Sequence, residues 1–287
     1  HGKELPEQLL EFYFCVRDFL NIDELLDENY VVYTEMGEGG KVILRLFCVN
    51  PAANIHRCLE KGKSAVFFSA TLLPMDYYRT LLSTRKDDYG IYVPSPFKQE
   101  KRCILTGRDV SSRYTRRGYE EYHKIASYIA RTVWARKGNY MVFFPSYGYM
   151  DCVYKMYDEE ERASIIVQSR GMNETEKEQF LNRFKSLEQD KNDGCIGFCV
   201  TGGVFSEGID LKNESLIGCI IVGTGIPQIC TERKLLKDYY DAKDGNGYNY
   251  AYTYPGMNKV LQAAGRVIRT SEDRGVILLL DERFLQR

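Results

Sequence analysis

Apolar residues open the chain at helical intervals. Leu9, Leu10, Phe12, Tyr13, Val16, Phe19 and Leu20 recur with that spacing until the pattern breaks at 27–29, which predicts a helix or helix pair over 5–26. The pattern then shortens. A run closed by Pro51 predicts a strand over 41–50, a second strand follows at 65–69, and 71–83 reads as a helix with Pro74 in its first turn. Residues 84–118 are rich in Pro, Gly, Ser and charge, so the reading places a linker at 89–118 between a first unit, 1–88, and a second, 119–287. Beyond it, helices are predicted over 119–137, 149–158, 174–187, 231–240 and 257–268. Strands are predicted over 140–144, 165–167, 195–201, 216–222 and 275–280. Short apolar strands alternating with amphipathic helices imply an α/β fold whose parallel sheet is covered on both faces.

Composition narrows this picture without changing it. A chain of 287 residues, 44% hydrophobic, can bury a substantial core and favours two domains. No apolar run approaches the roughly 18 residues of a membrane span. The chain begins at His1 with no basic-then-apolar leader, so a fragment or processed product without a secretory signal is expected. Nine cysteines without a CxxC pair argue for a reducing compartment, and Cys195 and Cys199, on one face of a strand, read as core rather than metal ligands. A net charge of -1 leaves any nucleic-acid binding to local patches, the best being Arg108, Arg113, Arg116 and Arg117, extended by Lys124, Arg131, Arg136 and Lys137. Tyr248, Tyr250, Tyr252 and Tyr254 recur with period two; packing of a half-buried extended segment is preferred over base stacking.

Two stretches imitate phosphate and magnesium motifs. Gly62–Lys63–Ser64 lacks the leading glycine of a P-loop, holding Arg57 there, and precedes a strand instead of following one. The run 276–282, VILLLDE, ends in an acidic pair but has no P-loop partner, and reads as a strand end at the sheet's carboxyl edge.

The sharpest feature is 262–269, QAAGRVIR. On a helix, Gln262, Arg266 and Arg269 fall at i, i+4 and i+7 and share a face, with Gly265 allowing a neighbouring backbone to come close. Two guanidiniums on one stripe make a poor core, because burying them unpaired is costly. They make a good phosphate clamp, since a planar fork of donors matches phosphate oxygens.

This octet resembles motif VI of superfamily 2 helicases. Ser69–Ala70–Thr71 resembles motif III, 143–147 (FFPSY) motif IV, and 202–210 (GGVFSEGID) motif V. With 281–284 (DERF) and 223–227 (GTGIP), the set resembles the carboxy-terminal helicase domain of the XPD/DinG, or Rad3-related, branch. The resemblance implies a RecA-like second lobe plus a partial first lobe with the return from an arch domain. It also implies an ATP-dependent DNA helicase, moving 5′ to 3′ on single-stranded DNA in a cytoplasmic, nucleoid-associated bacterial setting. Arg266 and Arg269 would be arginine fingers, with Gln262 ordering the same site, and Glu207, Gly208 and Asp210 would serve the nucleotide. Thr71, Ser146, Tyr147, Gln168, Ser206 and Arg113 would contact DNA.

ATP and Mg2+ are the implied cofactors, and the missing amino-terminal lobe the implied partner. A [4Fe–4S] cluster, common in the family, would lie outside this chain. The sequence departs from the family in lacking a P-loop lysine and a DEAH-type motif, so the polypeptide alone is expected neither to hydrolyse ATP nor to unwind DNA. A non-catalytic nucleic-acid-binding module is the alternative. A doubly wound enzyme of small-molecule metabolism would need a glycine-rich strand-to-helix turn near the start of the domain, which is not found.

Overall fold

The computed structural model describes residues 6–85, 87–162, 165–186, 194–205 and 216–286. The chain divides into two compact units, 1–91 with 228–254, and 92–227 with 255–287.

In the first unit, α1 (Glu7–Asp23) precedes an antiparallel hairpin of β1 (Tyr30–Met36) and β2 (Val42–Cys48), registered from Tyr30 opposite Cys48 to Met36 opposite Val42. The first of these strands was not expected, although YVVYTEM followed by the glycine-rich turn at 37–40 carries the β-branched and aromatic signal of one. Two further helices follow, α2 (Ala52–Leu59) and α3 (Met75–Leu82), with Pro74 capping the latter from outside instead of sitting in its first turn. Residues 65–69, expected as a strand, are irregular, with Val66 and Phe68 exposed. Among the described residues no strand lies beside them to complete a ladder, and a lone strand has nowhere to send its backbone hydrogen bonds.

The remainder of this unit comes from far along the chain, as α8 (Thr231–Asp244) and a π-helical turn (Asn249–Thr253). Tyrosines hold it in place. Tyr240 stacks on Tyr250 with ring centres 4.0 Å apart, and Tyr77 meets Tyr250 and Tyr254 at 5.1 Å each. The hydroxyl of Tyr33 donates to Glu232 at 2.6 Å and that of Tyr239 to Asn29 at 2.7 Å. The period-two tyrosines are therefore packed but helical, not extended. Tyr248 pairs with Tyr252 and Tyr250 with Tyr254, two interleaved i,i+4 couples that look like a strand pattern in one dimension.

The second unit is a six-stranded parallel sheet. Its strands are β3 (Arg102–Gly107), β4 (Tyr140–Phe144), β5 (Ile165–Val167), β6 (Ile196–Val200), β7 (Gly218–Val222) and β8 (Gly275–Leu280), in the spatial order β3-β8-β7-β4-β6-β5. The helices are α4 (Tyr119–Ala135), α5 (Tyr147–Tyr154), the short α6 (Glu159–Arg162), α7 (Glu174–Ser186) and α9 (Tyr254–Ala264). Strand alternation sorts the core onto two faces. Tyr140, Val142 and Phe144 pack with Ile125 and Ile129 of α4 and Met150 of α5, whereas Met141 and Phe143 pack with Phe180 and Phe184 of α7 and Val260 of α9. This is the parallel, doubly covered sheet that the alternating pattern implied, and the RecA-like lobe that the helicase resemblance implied. Strand β3 falls inside the stretch read as linker.

Candidate functional site

In a parallel sheet the loops leaving the strands gather at the carboxyl edge. Ser146 follows β4 and caps α5, its Oγ accepting from the backbone N–H of Tyr149 at 3.3 Å. Next to it stands Tyr147. The Gln168 side chain, after β5, donates from Nε2 to the Tyr147 hydroxyl at 2.9 Å and accepts at Oε1 from the Val200 N–H at 2.9 Å. Arg170 lies over the Tyr147 ring at 5.1 Å.

Gln168, expected among the DNA contacts, is 2% exposed with both ends of its amide engaged, so it positions Tyr147 and does not itself meet solvent. A glycine is required opposite it, because a Cβ at Gly203 would sit 2.9 Å from both Gln168 Nε2 and the Val200 carbonyl. Changing Gln168 to Leu removes both the acceptor used by the Val200 N–H and the donor to the Tyr147 hydroxyl. The expected cost is about 2 kcal/mol, read as a melting temperature lower by roughly 4–8 °C, together with a loosened Tyr147.

The segment 108–118, read as linker, is instead bolted to this edge. The backbone N–H and hydroxyl of Ser112 both donate to Asp281 at 2.8 Å, and Arg283 grips both oxygens of the same carboxylate. Burial pushes the Asp281 pKa up, but the hydrogen bonds from Arg283 and from Ser112 outweigh it, and the group titrates below the ordinary carboxylate range. Arg116 pairs with buried Glu121 at 2.9 Å, and Glu282 lies 3.6 Å from Arg113 and 3.7 Å from Arg116. Gly223, with φ of +84°, lets the end of β7 pass Ser112, where a Cβ would lie 2.5 Å from Oγ. The acidic pair that imitates a magnesium motif thus serves as an anchor. Arg113, an expected DNA contact, stays half in solvent while leaning on Glu282.

The motif VI candidates occupy the opposite edge. Helix α9 ends at Ala264, so Gln262 is helical while Arg266 lies in the following turn and Arg269 in the loop that enters β8 from its amino end. The single helical stripe predicted for the three residues is therefore corrected. The helix unwinds because Asp273, buried, takes the backbone N–H groups of Arg269 and Thr270 at 2.7 Å each, fixing a non-helical loop. Gly265 is exposed, and only carbonyls of its own helix lie within 4 Å, so it marks the helix end and not a close approach. Arg266 is half-buried near Cys219 of β7, whereas Arg269 is exposed.

Ser206, Glu207, Gly208 and Asp210 lie outside the described residues. Thr71 belongs to the first unit, where its N–H donates to the Ser69 hydroxyl at 3.2 Å. Among the described residues no group of three or more His, Cys, Asp or Glu side chains is placed to hold a metal, and no helix is long and apolar enough to cross a membrane. Cys195, Cys199 and Cys219 are buried in the core.

Comparison with known proteins settles the class. The Helicase C-terminal domain family matches residues 129–287. The chain belongs to that family. This helicase domain is 27% identical to a probable ATP-dependent helicase of Methanocaldococcus jannaschii, aligned over 99% of the chain and 43% of the relative. It is 28% identical to the ATP-dependent DNA helicase XPD of Sulfolobus acidocaldarius, over 84% of the chain and 43% of the relative. The yeast (Saccharomyces cerevisiae) XPD/RAD3 helicase subunit of transcription and repair factor IIH is 27% identical over 85% of the chain and 33% of its own length. A solved apo XPD structure shares the fold, with a TM-score of 0.66 at 22% identity over 99% of this chain and 60% of that one. The helicase domain spans under half the length of these curated relatives.

Proposed function

We propose that this helicase domain is the carboxy-terminal motor lobe of an ATP-dependent helicase that moves along single-stranded DNA. One observation carries the reading. A single sheet presents hydroxyl, aromatic and basic groups at its carboxyl edge and, at its amino edge, Arg266 in the turn after α9 and Arg269 on a pinned loop. Hydroxyls and backbone groups at strand ends suit phosphate contacts that hold a strand without reading its sequence. The first is Ser146, with Tyr147 held beside it and Arg113 on the braced neighbouring loop. Arginines on a separate edge can answer to a nucleotide without competing for the strand.

The guanidinium donors present fit the phosphate oxygens of a triphosphate, and Mg2+ would arrive with that nucleotide. Arg269 is exposed on a loop whose backbone is fixed by Asp273. Gln262, Arg266 and Arg269 would face the terminal phosphate, whose transfer supplies the free energy of movement. Glu207, Gly208 and Asp210 would assist there, Ser206 and Thr71 would add strand contacts, and the remaining motor parts, with any iron–sulfur cluster, belong to the longer protein. Named relatives from archaea and yeast lend nothing specific to a bacterial nucleoid.

Fluorescence anisotropy with labelled oligonucleotides at two salt concentrations tests the proposal. Tighter binding to single than to double strands, weakening as salt rises, is expected, with no ATPase activity above background from this chain alone. Equal affinity for both forms would leave the strand role without support, and turnover by the chain alone would contradict the division of labour.

A further inference from the structure

We propose that Tyr114 and Arg117 form a base-stacking step for single-stranded DNA beside the carboxyl edge, a role that rests on the strand-binding function given above. Tyr114 is 82% exposed, yet its carbonyl accepts from the Arg117 N–H at 3.3 Å and its chain neighbours are tied down on both sides. It opens a single 3-10 turn, Tyr114–Arg116, in which Arg116 N–H donates to the Arg113 carbonyl at 3.0 Å. Ser112 is tied to Asp281 immediately before the turn, and Arg116 to Glu121 within it. An exposed ring on an immobilised turn is preorganised, so that binding a flat partner costs little ordering entropy.

Arg117 differs from its basic neighbours. Arg113 and Arg116 are partly neutralised by Glu282 and Glu121, whereas among the described residues no carboxylate lies within ion-pair distance of Arg117. Its guanidinium sits between two rings, 5.3 Å from the centre of Tyr114 and 5.3 Å from that of Tyr149. Tyr149 stands in the first turn of α5, the helix capped by Ser146, so the step is continuous with the proposed phosphate contacts. Tyr119, 71% exposed at the start of α4, stacks nearly parallel on His123 at 6.1 Å and supplies a second flat surface.

Rings alternating with cations suit a single strand. Every base has a face that stacks on tyrosine, and the adjoining phosphate takes the outward N–H donors of an unneutralised arginine.

The test compares a short oligothymidylate with an abasic strand of equal length, both labelled, against wild-type chain, Tyr114→Ala, Tyr114→Trp and Arg117→Ala. Tyr114→Ala is expected to weaken oligothymidylate binding about tenfold while leaving the abasic strand unaffected, and Tyr114→Trp to retain affinity. Arg117→Ala is expected to weaken both strands and to reduce the salt slope by roughly one, whereas Tyr114→Ala leaves that slope unchanged. Unaltered circular dichroism confirms that each variant is folded. If the wild type binds oligothymidylate tightly and Tyr114→Ala binds it equally well, the stacking step is overturned and the strand-binding function stands. If the wild type shows no preference for single strands, both fall together.

Discussion

Arg269→Ala, placed in the longer ATP-driven protein proposed above, is expected to lower kcat for DNA-stimulated ATP hydrolysis by about a thousandfold, with affinity for single strands within twofold of wild type. An arginine that meets the terminal phosphate acts on charge that develops during transfer, so its loss falls on kcat and little on KM. Arg269 is the stronger candidate of the pair because it is exposed on a loop whose backbone Asp273 holds at two points, whereas Arg266 is half-buried near Cys219. Lysine at 269 should recover only part of the activity, since it keeps the charge and loses the planar fork. The separation of edges makes the prediction sharp: Ser146 and Tyr147 follow β4 at the carboxyl edge, while Arg269 precedes β8 at the amino edge. Steady-state ATPase assays and anisotropy on the same preparations decide it. A fall in kcat smaller than tenfold, or an equal fall in DNA affinity, would remove Arg269 from that role.

Asp281→Ala is expected to destabilise the sheet unit by about 3–5 kcal/mol, the usual cost of breaking a buried ion pair from one side. The change leaves Arg283, mostly buried, without its carboxylate, and takes the acceptor from the Ser112 N–H and hydroxyl. Melting should fall by roughly 10 °C or more. Asp281→Asn keeps the space and removes the charge, so it should fall between. The pH dependence has a definite sign. The folded group titrates below its unfolded counterpart, so its charge contributes fully above the ordinary carboxylate range and loses that contribution as pH falls through the folded value. The gap in melting temperature between wild type and Asp281→Asn should therefore be widest near neutrality and narrow in acid. A gap that is constant with pH would show that the carboxylate acts by shape alone. The same substitution unpins the 108–118 segment, so the contribution of Tyr114 to binding should weaken alongside stability.

The glutamine after β5 shows what a linear reading can and cannot reach. A polar residue at a strand end invites a ligand role, and nothing in the neighbouring sequence says that Val200, from another strand, needs its amide. The tyrosines of 248–254 teach a related point, since a period of two arose from two i,i+4 couples in a π-helical turn. Residues 84–118 looked like a linker because Pro, Gly, Ser and charged residues are frequent in it and its first half holds Pro94 and Pro96 close together. Strand β3 and a densely bonded loop occupy the second half, where isolated polar residues find their partners only across the sheet.

Local pattern alone was enough for the alternating parallel α/β architecture, for five of the six sheet strands, for the core placement of Cys195 and Cys199, and for the helicase resemblance. The elements and the core depend on which side chains recur at 3.6 or 2 residue spacing, which survives without neighbours, and the resemblance rests on short motifs read in order along the chain. Tertiary structure decided the rest: the membership of 228–254 in the first unit, the unwinding that ends α9 before Arg266, and the placing of strand-binding and motif VI candidates on opposite edges. The first depends on partners remote in sequence and the last on the direction of a strand, whereas the unwinding turns on Asp273, close in sequence but fixed by the loop's own geometry. Tyr33 and Glu232 are 199 positions apart, and Ser112 and Asp281 169. A hydrogen bond between such groups has no trace in local spacing, because chain closure brings together what periodicity cannot pair.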